Sequence, residues 1–119
     1  MKISCLSVSL FPKIVNGEMT IKEYATLCKN LNLDGFDLGL IQLKNHTPRY
    51  INGLKEELNE VGLPLVMITT YPDFTHPDPV QRERELEYLR HDIALASHVG
   101  AKFLRITAGQ GHPQMPINK

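Results

Sequence analysis

The chain has no tryptophan, only two cysteines and no surplus of charge of either sign. Each shortage removes a class of protein. Cys5 and Cys28 stand far apart and fit no zinc or redox spacing. The expectation is two buried thiols in a reducing compartment. Thirteen basic residues balance thirteen acidic ones, which leaves no excess for a nucleic-acid backbone and no polybasic run for an anionic membrane. Neither nucleic acid nor membrane is therefore an expected partner. No apolar run approaches a membrane span. The opening MKISCLSVSLFP carries one lysine, is broken by serines and precedes no small-residue cleavage site. It reads as a first strand rather than a signal peptide, and a cytoplasmic location follows from these absences. A chain of 119 residues suffices for one domain with one modest core.

What the chain does have is a recurring unit. Residues 77–110 hold a helix start, an amphipathic helix, a glycine stop and a strand in immediate succession. Asp78 suits the N-cap, Pro79 the first helical position, and Gln81 is placed to reach back to the cap. Leu86, Leu89, Ile93 and Ala96 recur at helical spacing. Gly100 ends the helix, and residues 101–107 suit a strand. The same order appears twice before. Residues 2–9 read as a strand and 11–19 as a loop. Thr20 and Glu23 form a capping box, followed by a helix with Ile21, Tyr24, Ala25, Cys28 and Leu31 on its buried face and a stop near Asn32. Residues 36–40 are the second strand. Thr47 caps a helix begun by Pro48, with Ile51, Leu54, Leu58 and Val61 on one side and Gly62 at its end. Residues 65–71 form an almost wholly apolar third strand, as a parallel strand covered on both faces requires. The class is α/β, in the order βαβαβαβ plus a tail, with right-handed crossovers between parallel strands. Two architectures fit: a small doubly wound sheet, or the first half of a (β/α)8 TIM barrel, which takes about 250 residues in full.

The phrases LNLDGFDLGL, KEELNEVGLPL and IALASHVGAKFLRITAG resemble the xylose isomerase-like TIM barrel superfamily, which includes sugar isomerases, ketose 3-epimerases, inosose dehydratases and endonuclease IV-type DNA repair enzymes. The family's acidic residue near the end of strand two falls on Asp37. Its Ala–x–x–x–Gly–Ala element leading to an arginine in strand four falls on Ala96, Gly100, Ala101 and Arg105. Asn32 stands where glycine is commoner. The resemblance implies a partial barrel domain over residues 1–110, with residues 111–119 a tail in the loop after strand four. It also implies that the chain is the N-terminal portion of a longer enzyme, with strands five to eight and their metal ligands outside it.

As the resemblance has it, the parent is a metal-dependent sugar, sugar-phosphate or polyol isomerase or epimerase. It would move a proton through an enediolate, using a divalent ion (Mn, Mg or Co) that this chain alone is not expected to hold. In such barrels chemistry sits at the C-terminal ends of the strands. The candidate substrate-binding residues are accordingly Asp37, Thr70, Tyr71, Arg105 and Thr107, with no catalytic residue and no metal ligand assigned. Asp37 has a plainer reading as a carboxylate paired locally, and Arg105 either contacts substrate or pairs with a carboxylate. None of the five histidines shows ligand spacing. His76 and His112 lie in loops that can reach the active-site side, His46 lies in another loop, and His91 and His98 lie towards a helix C-terminus, where a cation suits the dipole. Solvated or capping roles are the plainer reading for all five. The repair-enzyme branch places zinc-binding histidines where this chain has Thr69, Thr70 and Thr107, and a threonine hydroxyl is a poor zinc ligand. The alternative of another class is a non-catalytic half-barrel. With two unpaired sheet edges it would form a homo-oligomer or bind a partner through them.

Overall fold

The structure, a computed structural model, describes residues 1–114. Its helices begin where the sequence offers a capping oxygen. Thr20 Oγ1 accepts from the Glu23 amide at the start of α2 (Ile21–Asn30). Thr47 Oγ1 accepts from the Tyr50 amide at the start of α3 (Pro48–Val61). Asp78 Oδ1 accepts from the Val80 amide at the start of α4 (Pro79–Val99). Each cap supplies a partner that the first turn lacks, worth about 1 kcal/mol. Gly62 and Gly100 close α3 and α4 in the left-handed region, and Asn32 adopts the same positive φ after α2. The expected bond from Gln81 back to the α4 cap does not form. Gln81 Nε2 instead donates to Glu85 Oε1, four residues along the same helix face.

Four parallel strands form one sheet: β1 (Ser4–Leu6), β2 (Gly35–Gly39), β3 (Leu65–Thr69) and β4 (Phe103–Arg105). Their order in space is β1-β2-β3-β4. That order decides between the two architectures. A doubly wound sheet reverses direction at a switch point and carries helices on both faces. Without a reversal, right-handed crossovers put every helix on one face, which is an arc of a (β/α)8 ring. Accordingly α2 packs against α3, and α3 against α4.

The core lies between sheet and helices. Phe36, Leu38 and Ile68 from the strands meet Tyr24, Ala25 and Cys28 of α2, Ile51, Leu54 and Leu58 of α3, and Leu95, Ala96 and Val99 of α4. Burial of each large side chain contributes about 1.5–3 kcal/mol. The Tyr24 and Phe36 rings meet edge to face at 6.0 Å, the favoured geometry for aromatic quadrupoles. The Tyr24 hydroxyl donates to the Cys5 carbonyl, and burial pushes its ionisation well above the ordinary tyrosine range.

Several expectations are corrected. The two outer strands are shorter than the sequence suggests, three residues each, because each has a neighbour on one side only. After β1 the chain makes a 3₁₀ turn (Val8–Leu10) and a short helix, α1 (Phe11–Val15), where a loop was expected. Pro12 falls in the first turn of α1, where its missing amide costs nothing. Cys5 is exposed, on an edge strand, whereas Cys28 is buried and its thiol is pushed up by that burial. Leu31 is exposed rather than part of the buried face of α2. His91 lies well inside α4, and only His98 is in its last turn, where it bonds Asn52 Oδ1 at 2.7 Å. The buried side of α4 is Asp92, Leu95, Ala96 and Val99, with Leu86 and Ile93 exposed. The expected tail is irregular over 111–114, and its remainder, 115–119, lies outside the described residues. No helix among the described residues is long and apolar enough to cross a membrane.

Candidate active site

Register fixes what the strand ends present. Leu38, Ile68 and Leu104 align across the sheet and face the helices. The alternate positions face away from them. Asp37 aligns with Met67 and Phe103 there, and Gly39 with Thr69 and Arg105 one step nearer the C-terminal end. Asp37 is buried. Its Oδ2 accepts from Ser4 Oγ at 3.0 Å, while its Oδ1 has no partner among the described residues. Thr69 Oγ1 is equally shielded and equally without a partner. A buried polar atom left unbonded costs about 1–3 kcal/mol. Arg105 beside them is exposed and forms no ion pair among the described residues. Gly39 makes room for the aromatic ring of α1: a Cβ there would lie 2.7 Å from Phe11 Cζ.

Beyond the strands, residues 70–75 and 106–112 run side by side. The Thr70 amide and hydroxyl both donate to the Arg105 carbonyl, at 2.9 and 3.0 Å. Thr107 Oγ1 donates to the Pro72 carbonyl at 3.0 Å, and the Phe74 amide to that of Ala108 at 3.1 Å. The two loops converge on Asp73. Its Oδ1 accepts from the Thr75 hydroxyl and the Gln110 amide, and its Oδ2 from His112 Nε2 at 2.8 Å. The His76 ring meets that of His112 edge to face at 5.1 Å. Burial pushes the Asp73 carboxyl up, but the hydrogen bonds from Thr75, Gln110 and His112, together with the charge that His112 carries when protonated, outweigh it and hold the group below the ordinary carboxylate value. An ionised Asp73 fixes the His112 tautomer with the proton on Nε2, leaving Nδ1 as a proton acceptor.

The five residues read from the sequence thus divide. Asp37 and Arg105 share the face turned from the helices. The hydroxyls of Thr70 and Thr107 are engaged in tying the two loops together. Tyr71 is half exposed and lines a different cavity, of ≈ 640 Å³, with His46, His91 and Asp92 beside α4. The sequence reading placed Thr69 at the strand end without a role and His112 in a loop on that side, but passed over Asp73 and its pairing with His112. A local trace of the pair exists in Asp73-Phe74-Thr75, a turn in which the carboxylate accepts from the residue two positions on. His112 lies 39 positions from its partner, a separation that leaves no local pattern.

A divalent ion needs several converging donors. At these strand ends Asp37 Oδ1 and Thr69 Oγ1 are the buried side-chain oxygens that lack partners among the described residues, and Asp73 and His112 are committed to each other. This donor set does not fit the ion expected for the parent enzyme.

Solved structures with the same fold include that of the probable 3-DHS dehydratase AsbF, involved in petrobactin synthesis, from Bacillus anthracis. It has a TM-score of 0.71 and 19% identity, and covers 92% of this chain and 39% of that one. A protein of Sinorhizobium meliloti 1021 has a TM-score of 0.68 and 17% identity, over 94% of this chain and 39% of that one. The chain therefore spans about two-fifths of the length of these structures. No curated protein matches it. The xylose isomerase-like TIM barrel model matches residues 25–117, well over half of the sequence, and the chain belongs to that family.

Proposed function

We propose that this chain forms the substrate-side wall of an enzyme that isomerises or epimerises a small polyhydroxylated molecule, a sugar or polyol. The observation that carries the reading is the row at the strand ends: an unpaired guanidinium, Arg105, beside two shielded oxygens, Asp37 Oδ1 and Thr69 Oγ1, that lack partners among the described residues. A ligand rich in hydroxyls satisfies all three, because each hydroxyl both donates and accepts. Asp37 accepts from one substrate hydroxyl, Thr69 exchanges a hydrogen bond with another, and Arg105 holds a partly negative oxygen. The reaction class requires a proton to leave a carbon next to a carbonyl and return elsewhere through an enediolate. His112, oriented by Asp73, is the group of this chain suited to accept and return it, at Nδ1. The divalent ion that the reading assigns, manganese, magnesium or cobalt, would be held by side chains outside this arc. A similar fold that is named a probable dehydratase supports an enzyme over a binding module.

The test is a sugar and polyol panel assayed on the full protein and on its Arg105→Ala, Asp37→Asn and His112→Ala variants. Loss of one hydrogen bond to a charged group lowers kcat/KM by about 10- to 150-fold. Activity with none of the panel, or activity indifferent to all three substitutions, sinks the proposal. A second reading is favoured by the edges of the sheet. β1 and β4 each pair on one side only, and Ile3 and Phe103 beside them are 51% and 63% exposed. A second copy of the chain, or the ring positions that follow β4, covers them. Size-exclusion chromatography with light scattering separates these outcomes: a monomer at high concentration excludes self-association.

A further inference from the structure

One side-chain cluster plays no part in the site at the strand ends. His46, in the loop before α3, and His91 and Asp92, on α4, bring one ligand atom each to within 4.8 Å of the other two. The imidazoles stack at 5.2 Å with 20° between their planes, and His46 Nδ1 lies 3.1 Å from His91 Nε2. Two nitrogens bound to one zinc ion, each about 2.0–2.1 Å from it in tetrahedral geometry, are themselves about 3.3 Å apart. The imidazole pair is therefore spaced as two ligands of one ion, with an Asp92 carboxylate oxygen within 4.8 Å of both nitrogens. Asp92 provides an independent observation. The residue as a whole is 9% exposed, and its carboxylate makes no hydrogen bond among the described residues, which leaves its oxygens free to take an ion.

We infer that His46, His91 and Asp92 form a binding site for a borderline transition-metal dication, zinc in the first instance, on the helix side of the sheet. Two imidazoles and one carboxylate select zinc, cobalt or nickel over magnesium or manganese, which prefer oxygen donors. Three protein ligands leave a fourth position open. It faces the cavity lined by Ile41, Tyr71, Pro72 and Tyr88, which gives water or a small anionic ligand access to the ion. Glu85 lines the same cavity, but its carboxylate is engaged by the Asp73 amide and by Gln81. The site departs from the expectation that this chain holds no metal, and it does not depend on the substrate proposal.

Calorimetric titration of the metal-free 119-residue chain with zinc chloride tests it. The expected result is one ion per chain. Binding weakens by about tenfold or more in each of His46→Ala, His91→Ala and Asp92→Asn, is unchanged in His112→Ala, and is much weaker with manganese chloride. Cobalt chloride adds a spectroscopic readout: a visible ligand-field band in the unsubstituted 119-residue chain that His91→Ala lacks. His91→Gln preserves helix propensity and decides the matter should the alanine variant unfold by circular dichroism. No one-to-one zinc binding in the unsubstituted chain, or binding indifferent to His46 and His91, overturns the inference. Either result leaves the Asp37–Thr69–Arg105 reading to its own assay.

Discussion

Replacing Gly109 with alanine tests whether the Asp73–His112 pair is held by the packing of the two loops. Gly109 has φ +152, and a Cβ there would lie 2.2 Å from Thr75 Oγ1 and 2.8 Å from Asp73 Oδ1. The threonine hydroxyl must then retreat by about 1 Å to reach ordinary contact. Its single proton is shared between Asp73 Oδ1 and the Gln110 carbonyl, both at 2.9 Å, and that bond is lost. Backbone strain for a non-glycine residue in this region costs about 1–3 kcal/mol, and the lost bond about 1 kcal/mol. The sum, roughly 2–4 kcal/mol, is a large share of the 5–15 kcal/mol typical of a whole domain. Gly111 is the matched control, because nothing lies within 4 Å of its added Cβ; alanine there is expected to be neutral or to stabilise by a few tenths of a kcal/mol. Urea unfolding followed by circular dichroism compares the two. Should Gly109→Ala fall within 1 kcal/mol of Gly111→Ala, the loops are not locked as described and the orientation of His112 loses its basis.

Other consequences can be checked as directly. Gly39→Ala puts a Cβ 2.7 Å from the Phe11 ring and is expected to cost about 1–2 kcal/mol. The cost should fall in a Phe11→Leu background, so strictly additive effects in that double-mutant cycle would refute the contact. Asp73 ionises below its ordinary value near 3.8. It therefore adds stability above that value and loses it as pH falls through the lower folded value. Asp73→Asn should flatten the acid limb of stability below about pH 4, and an unchanged limb in urea melts counts against the hydrogen-bond set. Phe36→Ala removes a fully buried ring and should cost about 3–5 kcal/mol; a loss under 1 kcal/mol would mean that the core is not organised on it.

The strongest local signals in the sequence were those with a steric or hydrogen-bonding cause confined to a few residues. Thr20, Thr47 and Asp78 as caps, and Gly62 and Gly100 as left-handed stops, needed nothing distant to act, and all five act as read. The buried face of α3 was equally legible, because Ile51, Leu54, Leu58 and Val61 form its only apolar stripe. The strand ends were legible by position, since the barrel reading places chemistry there and Asp37 and Arg105 lie on the face turned from the helices. What could not be read was pairing across long separations. His112 with Asp73 and His46 with His91 depend on how two loops or a loop and a helix dock. No period in the sequence encodes those distances.

α4 shows why a correct helix can still have its face misjudged. Its sequence carries apolar residues on more than one side: Leu86 and Ile93 on one, Leu95, Ala96 and Val99 on another. Spacing alone gives the first set a tidy stripe at positions three and four apart. The sheet decides otherwise, because Gly100 and the three-residue β4 bring the last two turns of α4 down onto Leu104 and Ile68, and only the second set reaches them. Asp92 is drawn inside by belonging to the same turn as Leu95 and Ala96. The exposed stripe then has a reason of its own. In a closed ring each helix is flanked by two others, and α4 has a described neighbour, α3, on one side only. Leu86 and Ile93, exposed on α4, are where a closed (β/α)8 ring would seat its next helix, so the stripe that misdirected the reading of the buried face has a place in the barrel geometry.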